Sequence, residues 1–239
     1  NFDFCKIDVV VAPNNEQQIK SLIEKTKPYK TKVVSSWFSL SSVENSPNYL
    51  QLKPSLRSHF TAILNHIHEH FSAKDVVIVA RNTKADLAWI KYFQSKGKEI
   101  MGEGVEKPFS EYFVLDDSIS FGTQIFSNQI HNKHKKVFII PNYSYKDENY
   151  VNGVLRRLNA EKSGKEIYVY GMPIIKDSEN LNFEYFQNLN VRVPSSRWVD
   201  YEGEDVKAFN NKFYDRFGSL AGEEAYEGFD NMLYISRNL

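Results

Sequence analysis

A single cysteine, Cys5, excludes any internal disulfide. That suits a cytosolic protein, or an envelope protein that dispenses with disulfides. Cys5 follows Phe2-Asp3-Phe4, which lacks the small residue expected ahead of a lipidated cysteine, so it reads as a small buried hydrophobe. No run reaches the ~18–20 apolar residues of a membrane span. No signal peptide opens the chain, and its abrupt start fits a mature or trimmed form. There is no charge of one sign to spare: Lys+Arg 30 stands against Asp+Glu 30. The nearest basic cluster, His131-Asn132-Lys133-His134-Lys135-Lys136, precedes a strand-like run and reads as a solvated turn, so nucleic acid is not an expected partner. Glycine-rich phosphate loops are missing, since Gly97-Lys98-Glu99 lacks the rest of the motif. No Gly-x-Ser-x-Gly elbow occurs, and Cys5 has no evident catalytic partner. No cofactor is expected and no enzyme activity is indicated. No Pro/Gly/Ser linker and no internal repeat divides the chain.

What the chain does have is short apolar runs alternating with amphipathic segments. Asp8 to Pro13, Lys32 to Trp37, Asp75 to Ala80, Lys136 to Pro141 and Glu166 to Gly171 are β-branched and nearly continuous. Strands buried on both faces look like this, and helix-length spacers between them mean parallel βαβ units. Tyr112 to Leu115 and Asn190 to Val193 add strands, and Tyr49 to Pro54 a short extended piece. Helices are expected after Asn14-Asn15-Glu16, after Pro54-Ser55 with a stripe from Phe60 to Phe71, and after Asn82-Thr83 through Leu87, Ile90 and Phe93 to an end at Lys96-Gly97-Lys98. Further helices follow at Gly122 to Asn132, around Tyr150 to Leu158, and near 182–188. The chain closes with two stripes, Val206/Phe209/Phe213/Phe217 and Ala225/Tyr226/Phe229/Leu233. Open parallel sheets bind ligands beyond the carboxyl ends of their strands, so the loops there are the candidate site.

Other constellations carry competing readings. His66 and His70 share one helix face at a spacing that can hold a metal, although solvated histidines are common there and no physiological metal is expected. Asp116-Asp117 and Glu202/Glu204/Asp205 are carboxylate groups that suit helix starts better than acid–base work. Trp37, Tyr143 and Trp198 follow strand-like runs and would stack on a flat ligand, with core packing the plainer reading.

The order of segments resembles the type 1 periplasmic binding protein fold, which includes the branched-chain amino-acid receptors and degenerate relatives. Asp8 to Pro13, a helix and Lys32 to Ser36 resemble its strand, helix and strand ending in Ser. Ser46-Pro47-Asn48-Tyr49-Leu50-Gln51-Leu52-Lys53-Pro54-Ser55 resembles its NP-x-x-F-x-x-x-P-S segment. Lys74 to Ala80 and Tyr170-Gly171-Met172-Pro173 resemble second-lobe strands. Trp198-Val199-Asp200-Tyr201 and Ala225-Tyr226-Glu227-Gly228-Phe229-Asp230 resemble the return to the first lobe.

The resemblance implies an α/β protein of two lobes, each a parallel sheet flanked by helices. Lobe 1 would be 1–73 with 194–239 and lobe 2 would be 74–193, with crossings near Phe71–Lys74 and Val193–Ser196. The first lobe would be incomplete, because the family's opening strand-helix-strand unit has no room ahead of Asp8. Ligand-binding positions carried over by the resemblance are Asn14, Asn15, Ser35, Ser36, Trp37, Asn82, Thr83, Asn142, Tyr143 and Met172, with Pro173 beside them. They depart from the receptor pattern at Glu16, which would repel a carboxylate, and at Asn82-Thr83-Lys84-Ala85, where the family often has a Tyr-Gly pair. The plain alternative is that Asn14, Asn15 and Thr83 are helix caps. The implied function is non-catalytic binding of a small polar solute or peptidoglycan fragment between the lobes, in the periplasm or cell envelope. The alternative is a degenerate scaffold that binds a protein such as a cell-wall synthesis enzyme.

Overall fold

Three short strands open the first unit. The computed structural model describes residues 3–12, 15–36, 39–40, 42–102, 106–114, 125–130 and 135–238. Asn14, Trp37, Asp116-Asp117 and most of the His131–Lys136 cluster lie outside these residues. Strands β1 (Val9–Val11), β2 (Lys32–Ser35) and β3 (Tyr49–Gln51) pair in that order, all parallel, with helix α1 (Glu16–Thr26) crossing over. α1 begins where the sequence places a cap: the Asn15 side chain accepts from the Gln18 amide at 3.0 Å. Its inner face, Ile19 and Ile23, packs with Ala12, Val33, Leu40 and Tyr49. Cys5, expected to be buried, is exposed. It sits in a 3-10 turn, Phe4–Lys6, whose amide is held by the Asp3 carboxylate at 3.2 Å.

The second unit, Arg57–Ser195, is a five-stranded parallel sheet flanked by helices; the first comprises Asn1–Leu56 and Ser196–Leu239. Helix α2 (Leu56–His70) groups with the second unit. Its Phe60 ring meets the ring of Phe93, 4.6 Å between centroids. Phe93 belongs to α3 (Lys84–Met101), which follows β4 (Val76–Ala80). The unit continues through β5 (Ser110–Phe113), α4 (Ser127–Ile130), β6 (Lys135–Ile139), α5 (Glu148–Glu161), β7 (Glu166–Tyr170), α6 (Ile174–Asp177), α7 (Phe183–Asn188) and β8 (Val191–Arg192). Strand order is β5-β4-β6-β7-β8. Every residue of β4 is buried, as its unbroken apolar run requires.

Two expectations about α3 are corrected. The helix runs past Gly97 to Met101 and is capped by Gly102 at φ 98°, a left-handed conformation that suits glycine. Leu87 is exposed rather than in the core. Gly97 is needed for a close approach: a Cβ there would lie 2.4 Å from the Phe109 ring. The Gln94 carboxamide fixes Phe109 at that spot, donating to its carbonyl at 2.9 Å and accepting from its amide at 3.2 Å.

The chain ends in α8 (Glu204–Phe217) and α9 (Glu223–Asn238). Their apolar stripes meet each other, with Phe209 5.3 Å from Tyr226 and 5.0 Å from Phe229. Much of the remaining apolar surface is open to solvent, including Phe217, Leu220 and Met232. Trp198, for which packing was expected, is 89% exposed.

Two helical glycines, Gly97 and Gly228, predict opposite outcomes. Gly97→Ala is expected to lower stability by about 1–3 kcal/mol through overpacking. Gly228→Ala, with nothing within 4 Å of the added methyl, is expected to raise it by about 0.5–1 kcal/mol. Thermal denaturation of the two variants checks both signs.

Candidate functional site at the carboxyl edge of the five-stranded sheet

The order β5-β4-β6-β7-β8 reverses between β4 and β6, so the topological switch point lies beyond the carboxyl ends of those two strands. Arg81-Asn82-Thr83 leaves β4 there, and Asn142-Tyr143-Ser144 follows β6. Arg81 lies between two carboxylates. Its Nε is 3.1 Å from Asp86 Oδ2 and its Nη2 is 2.6 Å from Asp147 Oδ1. The Arg81 amide also donates to Asp86 Oδ2 at 2.9 Å, and the guanidinium lies 4.6 Å from the centroid of the Tyr150 ring. Burial by itself would lower the Arg81 pKa, but the hydrogen bonds it donates to Asp86 and Asp147 outweigh it, and the guanidinium is held above its ordinary value.

Asn142 is buried against this network, 4% exposed, its Nδ2 3.5 Å from Asp86 Oδ1. Its Oδ1 is buried with no hydrogen-bond partner among the described residues. Tyr143 beside it is half-exposed and meets Trp89 edge-on, 5.8 Å between centroids at 89°. The edge thus holds one buried, unpaired amide acceptor, an aromatic surface and the exposed side chain of Asn82.

The remaining expected positions divide clearly. Thr83 is a helix cap, its hydroxyl accepting from the Asp86 amide at 3.1 Å. Asn15 caps α1. Ser35 and Ser36, at and just after the end of β2, are buried. Met172 is fully buried. The backbone folds so tightly after β7 that a Cβ on Gly171 would sit 2.0 Å from Ile175, and Met172 turns inward with Ile174 and Ile175. Arg81, Asp86 and Asp147 were not among the expected site residues. The available signal was a charged residue directly after a fully apolar strand, followed by an Asp in the first turn of the next helix.

Two other features lie elsewhere. A shallow groove of ≈ 400 Å³ runs along α3 against the start of β5, lined by Leu87, Ile90, Gln94, Lys107 and Glu111 among others. On α2, the rings of His66 and His70 stack at 4.1 Å between centroids, 10° from parallel. No cluster of three or more metal-ligating side chains occurs among the described residues.

No family model and no curated protein sequence matches the chain. Among solved structures it is similar to an ABC transporter substrate-binding protein from Desulfitobacterium hafniense, at 11% identity and TM-score 0.59, covering 96% of this chain and 64% of that one. It is similar to a putative branched-chain amino acid ABC transporter from Rhodospirillum rubrum, at 13% identity and TM-score 0.54, covering 91% and 66%. It is also similar to the LpoA (YraM) C-domain from Haemophilus influenzae, a regulator of PBP1A, at 11% identity and TM-score 0.50, covering 86% and 61%. The shared property is the fold: the chain has the type 1 periplasmic-binding-protein fold. It spans 64% of the Desulfitobacterium protein's length. These neighbours are described as binding and regulatory proteins, not as enzymes. Among the described residues no helix is long and apolar enough to cross a membrane.

The ion-pair network makes its own prediction. Asp86→Ala leaves a half-buried guanidinium short of a partner, at a cost of about 3 kcal/mol, and should lower Tm by roughly 6–12 °C. Asp147→Ala should cost less, because Arg81 keeps Asp86. In a double-mutant cycle, Arg81→Met with Asp86→Ala should destabilise by less than the sum of the single changes.

Proposed function

We propose that the chain is a non-catalytic binding domain whose two units correspond to the lobes of an envelope receptor, and that it binds a small polar molecule at the carboxyl edge of the five-stranded sheet. The Asn142 carboxamide carries this reading. Its nitrogen leans on Asp86, and its oxygen is buried and unpaired among the described residues. An unsatisfied buried acceptor costs about 1–3 kcal/mol, and a ligand hydroxyl or ammonium donating to it would recover that. Arg81 cannot take this role, since Asp86 and Asp147 already hold it. Asn82 and Tyr143 flank the position with an amide and an aromatic surface suited to a sugar, an amino acid or a peptidoglycan fragment. The similarity to substrate-binding proteins supports the same class, and with it a periplasmic or envelope location.

A second reading has a separate observation behind it. The solvent-exposed apolar surface on α8, α9 and the connection between them, including Phe217, Leu220 and Met232, suits a protein partner. The similarity to a regulator of PBP1A makes a cell-wall synthesis enzyme the natural candidate.

A thermal-shift screen against amino acids, sugars, nucleosides and cell-wall fragments separates the two. A ligand at a hundredfold excess over its Kd stabilises by about 2.7 kcal/mol, which should raise Tm by roughly 5–11 °C. Asn142→Ala should abolish the rise while leaving the unliganded Tm nearly unchanged. No response to any class from a folded chain would reject the small-molecule reading in favour of the protein partner.

A further inference from the structure

Tyr170 and Arg192 are register partners at the carboxyl ends of β7 and β8. Both meet His66 of α2. The Tyr170 hydroxyl is 2.7 Å from His66 Nδ1, and Arg192 Nη1 donates to that hydroxyl at 3.2 Å. The Tyr170 hydroxyl thus accepts from Arg192 and shares a hydrogen bond with His66 Nδ1. His70 Nδ1 lies 2.9 Å from the His66 carbonyl, which can only accept, leaving the His70 Nε2 for other partners.

A metal is excluded at this spacing on electrostatic grounds. His66 Nδ1 is engaged by Tyr170, and the Arg192 guanidinium lies 3.4–3.5 Å from both ring nitrogens of His66. Positive charge gathers instead. Lys135 Nζ lies 4.7 Å from the centroid of the Phe71 ring and 4.8 Å from that of Tyr168, and the Arg192 guanidinium lies 5.1 Å from that of Tyr168. Among the described residues no carboxylate lies within ion-pair distance of Arg192. Glu69 on α2 offsets the charge on His66 only in part, and Glu166 is taken by the Tyr168 hydroxyl.

We infer that Arg192, His66, His70 and Tyr170 form a binding site for an oxyanion, a carboxylate or a phosphate group. The guanidinium supplies a planar fork suited to either. The imidazole N–H groups supply further donors. His66 is held below the usual histidine value by burial, then by His70 and Arg192. An anion seated against the cluster reverses the last two effects, so binding and protonation of His66 reinforce each other, and affinity rises as the pH falls. The site does not depend on Asn142, so either reading stands without the other.

Proton NMR of the histidine rings in the full chain tests this, with added inorganic phosphate or acetate at constant ionic strength and His59 and His68 as internal references. The His66 and His70 signals should move saturably while the references stay, and the apparent pKa of His66 should rise. Arg192→Gln should weaken the response about tenfold or more, and Arg192→Lys, which keeps the charge without the fork, should fall between. Tighter saturation by phosphate assigns a phosphorylated ligand, and tighter saturation by acetate a carboxylate; both support the site. The inference is overturned if His66 and His70 move no further than the references, or if folded Arg192→Gln responds like the parent.

Discussion

The dry central strand of the second unit, Val76 to Ala80, is the constraint on which the rest of this structure depends. A strand with every residue buried must satisfy its backbone groups on both edges, so β5 and β6 are obligatory neighbours. It must be covered on both faces, so helices must cross over. Parallel crossovers bring the carboxyl ends of the strands to one edge. Polar chemistry that has no place on the apolar faces therefore collects at that edge.

At the edge, the first demand is structural. Arg81 emerges directly from the buried strand, and its charge is neutralised by Asp86 from the next helix and by Asp147 from the 3-10 turn before α5. This pairing closes much of the polar surface where a ligand would be sought. Thr83 is spent as a cap and Met172 as core. What is left over is specific: one amide oxygen on Asn142, and an aromatic pair beside it.

The edge is not uniform. Between β4 and β6 the charges are balanced internally. At β7 and β8, Arg192 meets His66 and the Tyr170 hydroxyl, and among the described residues no carboxylate pairs with it. The C-terminal helices differ again. Their aromatic stripes pair with one another through Phe209, yet leave apolar surface in water. These are three distinct chemical surfaces: a paired polar network, a cationic cluster and an apolar helix surface.

Local pattern in the sequence was enough for the alternation of strands and helices, the parallel class of sheet, and the caps at Asn15 and Thr83. Each depends on neighbours a few residues apart: unbroken β-branched runs, 3.6-residue stripes, and an Asn or Thr ahead of a helix. It failed where a long-range approach overrode local preference. Gly97 reads as a helix end, but the structure uses it to admit Phe109 against the middle of α3. Met172 reads as a cleft residue, but the tight turn at Gly171 carries it inward. Strand order was decided by the tertiary structure, and with it the pairing of Arg81 with Asp147 across 66 residues and of His66 with Arg192 across 126. Those separations leave no local trace in the sequence, because such groups meet only after the sheet has assembled. Thus the sequence by itself determined where polar groups would gather, and the tertiary structure decided which of them pair with one another.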